Sequence, residues 1–164
     1  MTLYLSESDS ICRYLEELHP QPNLFGRDAK ERATIDMWTR RGEFRLMLPL
    51  GQVWVHTHRF TAAVATTAFG KQHTEFGEAN RKVVESGCRL FDRDLANRQF
   101  LAGDRYTMAD IVAQTTFDFG RFIGVDIPES CKNLTAWYAR ISARPSAVWA
   151  VPDAVMAQAR GAAP

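Results

Sequence analysis

Apolar residues in this chain recur at helical spacing and almost nowhere at the two-residue spacing of a strand. Ile11, Tyr14, Leu15 and Leu18 stand at i, i+3, i+4 and i+7, predicting a helix over residues 6–18. A second helix is expected from Asp28 to Leu48, carrying Ala33, Met37, Phe44 and Met47, with Ile35 and Trp38 widening its apolar face. Pro49 and Gly51 mark a kink or break there, because proline supplies no N–H and collides with the preceding turn. Residues 52–70 mix a strand-like VWVHTH with alanines and threonines and read as helix and loop. Three more helices follow. The first spans 73–97 with Phe76, Val83, Val84, Cys88, Phe91 and Leu95. The second spans 107–124 with Ile111, Val112, Thr115, Phe119, Phe122 and Ile123. The third spans 131–143 with Leu134, Trp137, Tyr138 and Ile141, and Arg144-Pro145 stops it. A short turn is expected at 147–149 and a frayed tail from Ala157 to Pro164. One short strand is expected at residues 2–5. The fold class is therefore all-α, a helical bundle.

The chain has 164 residues, enough for one ordinary domain. With 46% hydrophobic and 24% charged residues it can build a core. Its net charge of +1 supplies no electrostatic footprint for nucleic acid or an anionic membrane, so neither is an expected partner. Cys12, Cys88 and Cys131 are odd in number, widely spaced and without a C-x-x-C pair, which points to a reducing, cytoplasmic compartment.

The stretch Phe100-Leu-Ala-Gly-Asp-Arg-Tyr-Thr-Met-Ala-Asp-Ile is a helix start specified several times over. Thr107 is placed to be the N-cap, its hydroxyl accepting from the Asp110 N–H while the Asp110 carboxylate reaches back to the Thr107 N–H. Tyr106 and Ile111 complete a hydrophobic staple, and Asp110 puts negative charge in the first turn. These residues are folding equipment, a structural capping box.

FLAGDRYTMADI resembles the capping-box segment that opens the buried core helix of the glutathione S-transferase C-terminal domain. LSESDSICRYLEE is similar to that family's glutamate-serine motif and the last part of its thioredoxin-like domain. LTAWYARISARPS is similar to its seventh helix and terminating Arg-Pro. The three occur in the family's order. The resemblance implies a remnant strand and helix of a truncated thioredoxin-like glutathione-binding domain at 1–19, a linker at 20–27 and the all-helical C-terminal domain at 28–164. It also implies glutathione as substrate, a small hydrophobic electrophile as second substrate, and conjugation of the two as the full-length activity.

By the resemblance, Glu7 and Ser8 match the motif that holds the γ-glutamyl end of glutathione. A serine hydroxyl and a free N–H at a helix N-terminus suit a carboxylate in any case. Ser6 or Ser8 serves equally as a plain cap of the first helix. By position, Arg41, Phe44 and Met47 are expected in the wall of the electrophile pocket, though Phe44 and Met47 read as well as core or interface residues. The family's thiol-activating Tyr, Ser or Cys and its peptide-binding cis-proline have no counterpart here, so no catalytic residue is assigned. The expectation is little or no conjugation by this chain. The alternative is a non-catalytic helical module for ligand binding or protein interaction. Cys12 reads as a small buried apolar residue. His56 and His58 are too few for a metal and read as loop or surface histidines, and no metal is expected. Asp92 and Asp94 read as solvated helix charges. Apolar surface left uncovered predicts a homodimer.

Overall fold

A computed structural model of the chain describes residues 3–147. Its helices are α1 (Ser8–Leu18), α2 (Ala29–Gly42), α3 (Leu48–Thr57), α4 (Ala62–Phe69), α5 (Thr74–Leu95), α6 (Met108–Phe122) and α7 (Lys132–Ser142), with short 3-10 turns at Arg59–Thr61 and Pro145–Ala147. The turn expected at 147–149 and the tail after it lie largely or wholly outside the described residues. The expected strand is not formed. Residues 3–5 carry no regular structure, and among the described residues no strand occurs beyond one isolated bridge, Phe100 to Gly103. The reason is physical: a lone extended segment with no neighbour to pair leaves its amides to water.

The expected break at Pro49 is also absent. Helices α2 and α3 are joined without interruption by a π-turn, Glu43–Met47, in which the Leu48 N–H reaches back five residues to the Glu43 carbonyl. The widened turn lies immediately before Pro49 and absorbs the steric demand of its ring. One extra residue in that turn also shifts the register of the face that follows.

The core is built where α2, α3, α5, α6 and α7 meet. Trp38, Leu46, Leu50, Phe91, Leu134, Trp137 and Ile141 are each at most 2% exposed. Trp38 and Phe91 meet edge to face with ring centroids 5.3 Å apart, a favoured aromatic geometry. Helix α5 lies against the π-turn so closely that a Cβ on Gly87 would stand 2.5 Å from the Arg45 carbonyl oxygen. Only glycine fits there.

Helix α1 buries none of its residues, and its predicted stripe of Ile11, Tyr14, Leu15 and Leu18 faces outward. Polar contacts fix it instead. Arg13 pairs with Asp9 at 2.7 Å and with Asp36 of α2 at 2.9 Å, and stacks over the Phe25 ring. The Glu16 carboxylate accepts from the Asn23 side chain and from the Leu24 and Phe25 backbone N–H groups, tying α1 to the segment before α2. That segment is held in turn by Arg105, which donates to Glu31 at 2.6 Å and to the Asn23 carbonyl and side chain. Arg105 and Arg27 together hold the Glu31 carboxyl far below the usual carboxylate range, chiefly by hydrogen bonding.

Candidate functional site

The capping segment closes the centre of the bundle. Thr107 and Asp110 form the reciprocal box at the start of α6. The Asp110 carboxylate, with no exposed surface, accepts from the Thr107 N–H (3.0 Å), the Thr107 hydroxyl (3.1 Å), the Leu101 N–H (3.0 Å) and the Trp137 indole N–H (3.1 Å). Thr107 therefore donates its hydroxyl hydrogen to the carboxylate, while the Asp110 N–H reaches the Thr107 carbonyl at 3.0 Å. Burial pushes the Asp110 carboxyl above its ordinary value and the four donors pull it back. Asp110 thus joins α6, α7 and the loop before α6 through one side chain. Its lone pairs are committed to structure and are not free for chemistry.

Glu7 and Ser8 stand at the exposed N-terminus of α1. Glu7 has φ 68° and ψ 121°, making it the described non-glycine residue with positive φ. Such a conformation costs a side-chain-bearing residue about 1–3 kcal/mol and persists only where its surroundings fix it. Here the fixing groups are on the next turn. Ile11 donates to the Glu7 carbonyl at 3.0 Å, and Asp9 is clamped by Arg13 and, at 3.5 Å, by Arg40 of α2. Ser8 is exposed and no side chain caps the helix start, and an uncapped helix N-terminus of this kind suits a carboxylate.

Phe44 and Met47 fall together in an apolar concavity of about 450 Å³ with Leu48 and Val55, bordered by Arg40 and Glu43. Both are substantially exposed, at 62% and 49%. Arg41 is not part of it: its guanidinium lies 4.7 Å from the Trp38 ring centre, on a different face. Arg40 joins the two candidate regions. It pairs with Glu43 at the concavity and with Asp9 one residue beyond Ser8. Its spacing to Glu43 (i, i+3) is a signal for the first contact, whereas nothing in the sequence announces the second.

A second apolar groove of about 690 Å³ runs between α3, α4 and α5, lined by Phe44, Leu48, Phe69, Phe76 and Val83 with His56 among them. His56, within α3, and His58, in the turn that follows it, are both buried, not surface residues, at 2% and 4% exposure. His56 accepts the His73 N–H on Nδ1 at 3.2 Å, and His58 stacks on Trp54. Among the described residues no three His, Cys, Asp or Glu side chains gather to hold a metal ion. Asp92 is likewise not merely solvated. It accepts the Leu134 N–H at 3.0 Å and so satisfies a free amide at the start of α7. Cys88 and Cys131 are buried, and burial pushes the Cys88 thiol up to about 12. Cys12 is partly buried against Phe25 and Ile35. No described helix is long and apolar enough to cross a membrane.

The family model for "Glutathione S-transferase, C-terminal domain" matches residues 51–145. Glutathione S-transferase 2 of Saccharomyces cerevisiae is 32% identical over 142 residues, covering 87% of this chain and 60% of that protein. A glutathione S-transferase-like protein of Fusarium is 28% identical over 141 residues, again covering 60% of its length. Among solved structures, a glutathione S-transferase domain-containing protein from Marinobacter aquaeolei matches with TM-score 0.79 at 35% identity, over 88% of this chain and 69% of that one. Gtt2 from Saccharomyces cerevisiae matches with TM-score 0.78 at 31% identity, over 87% and 67%. The chain thus spans about 60% of the length of these curated relatives.

Proposed function

This chain belongs to the glutathione S-transferase family, and from that premise we propose that it binds glutathione through Glu7 and Ser8 and presents an electrophile-facing wall at Phe44 and Met47. In this reading residues 1–19 are part of the glutathione-binding domain, 20–27 the linker and 28–164 the helical domain. The family reaction is thiolate attack of glutathione on a small hydrophobic electrophile. The share carried by these residues is anchoring and shaping. Ser8 offers a hydroxyl and a helix N-terminus to the γ-glutamyl carboxylate, Glu7 an opposite charge to the ammonium group, and Arg41 keeps to Trp38 outside the wall. A thiol of ordinary pKa is mostly protonated at neutral pH and needs a dedicated donor to become a nucleophile. The reading gives these residues the anchoring and shaping roles alone, and the expectation it carries is glutathione binding by these 164 residues with little or no turnover.

The observation that carries the reading is the backbone of Glu7, held at positive φ at the mouth of an exposed helix N-terminus. Strain of this kind concentrates at ligand clamps. Calorimetric titration of glutathione into the chain and into Ser8→Ala tests it. Saturable binding that weakens about tenfold in the variant supports the anchor, since a charge-assisted hydrogen bond is worth roughly that much. Equal affinity in both sinks it.

We further propose a cytoplasmic homodimer in which a second copy covers the groove between α3, α4 and α5, whose exposed Phe44, Leu48, Phe69, Phe76 and Val83 form one apolar surface. The outward stripe of α1 favours a second reading, a non-catalytic helical module that docks another protein. Absence of any glutathione binding would leave that reading standing.

A further inference from the structure

On the side of the molecule where the linker crosses α6, three arginines border a groove of about 630 Å³. Two of them, Arg27 and Arg105, are engaged by the single Glu31 carboxylate. The third, Arg144, has no ion-pair partner among the described residues. Its guanidinium lies 3.9 Å from the centre of the Tyr106 ring, and its Nε is buried without an acceptor. A cation stacked face-on to an aromatic ring keeps its in-plane N–H edges free, which is the geometry that forks onto a carboxylate. Nε is sealed from solvent, so the Nη groups are its available donors. Gln114 also lines the groove. Its Oε1 accepts from the Tyr106 hydroxyl at 3.3 Å, which leaves its amide N–H₂ as a donor. Leu24, Pro22 and Ile111 provide apolar walls. Asp118 is the carboxylate on the rim, and it is engaged by the Tyr138 hydroxyl.

We propose that this groove binds a small organic monocarboxylate with a flat apolar body, its carboxylate on Arg144 and Gln114 and its body against Leu24 and Ile111. The volume suits such a ligand. None of Glu7, Ser8, Phe44 or Met47 borders this groove, so the site is independent of the glutathione anchor.

Benzoate titrated into the full chain, followed by NMR shifts of Tyr106, Ile111 and Gln114, is the test. The expected result is saturable shifts at these residues, with affinity about tenfold or more weaker in Arg144→Gln and for benzamide on the unmodified chain. The benzamide comparison reads the ligand's charge without any substitution, so the test survives if Arg144→Gln fails to fold. Ser8→Ala must leave benzoate affinity unchanged. No saturable shift with the unmodified chain, or equal affinity for benzamide, overturns the proposal.

Discussion

Asp110→Ala is the substitution whose cost follows most directly from the structure. It removes a carboxylate that accepts four hydrogen bonds in a site with no exposure. The Thr107 and Leu101 amides and the Trp137 indole N–H then lose their acceptor. Each orphaned buried donor costs about 1–3 kcal/mol, but the losses share one site and are not additive. An overall destabilisation of about 4 kcal/mol is expected. For a chain of this size that lowers the melting temperature by roughly 8–16 °C. Asp110→Asn keeps one oxygen for Leu101 and Trp137 but turns an N–H₂ toward the Thr107 N–H, so about half that loss is expected. Thr107→Ala removes only one donor to the carboxylate and should cost about 1 kcal/mol. Urea unfolding of the three variants gives the ranking. Asp110→Ala within about 1 kcal/mol of the parent, or Asp110→Asn as costly as alanine, would refute the argument that acceptor count at this one carboxylate joins α6, α7 and their loop.

Glu31 gives a pH signature. Its carboxyl is held low by Arg105 and Arg27, so the folded chain binds fewer protons there than the unfolded chain. Its stabilisation is present above the unfolded carboxylate value near about 4.3 and is lost as pH falls below it. Glu31→Gln should therefore cost about 1 kcal/mol at pH 7, and flatten the fall in stability between pH 5 and 3 seen by urea midpoints. Gly87→Ala forces a methyl against the Arg45 carbonyl and should destabilise by about 1–3 kcal/mol in thermal melts. Iodoacetamide should label Cys12 and spare Cys88 and Cys131 until the chain is unfolded, as read by peptide mass. Val83→Asp should convert a dimer to a monomer in light scattering; an unchanged mass would place the interface elsewhere.

The helical class and most helix limits were legible because periodicity reports them directly. In α7, Leu134, Trp137, Tyr138 and Ile141 are all buried as their spacing requires. Which stripe faces inward was less legible. In the segment expected as one helix over 28–48, Met37, Phe44 and Met47 are exposed while Ile35 and Trp38 enter the core, because hydropathy alone does not say which side of a helix its neighbours cover. The α1 stripe was legible as a stripe but not as an outward one, since hydropathy cannot say which neighbour covers it. The capping box was readable because its contacts are local. The Asp110 bonds to Leu101 and Trp137 were not, because they join positions 9 and 27 residues apart. The same distance hides the contact of Arg40 with Asp9 and the cap that Asp92 gives α7.

The ionisation state of the glutathione sulfur when bound to this chain bears most directly on whether Glu7 and Ser8 anchor a thiol that nothing here activates. Ultraviolet difference titration of the bound tripeptide across neutral pH reads it. An absorbance rise at the pH of free glutathione is expected, with binding reduced in Ser8→Ala. A thiolate already formed at pH 7 in the complex would contradict the account.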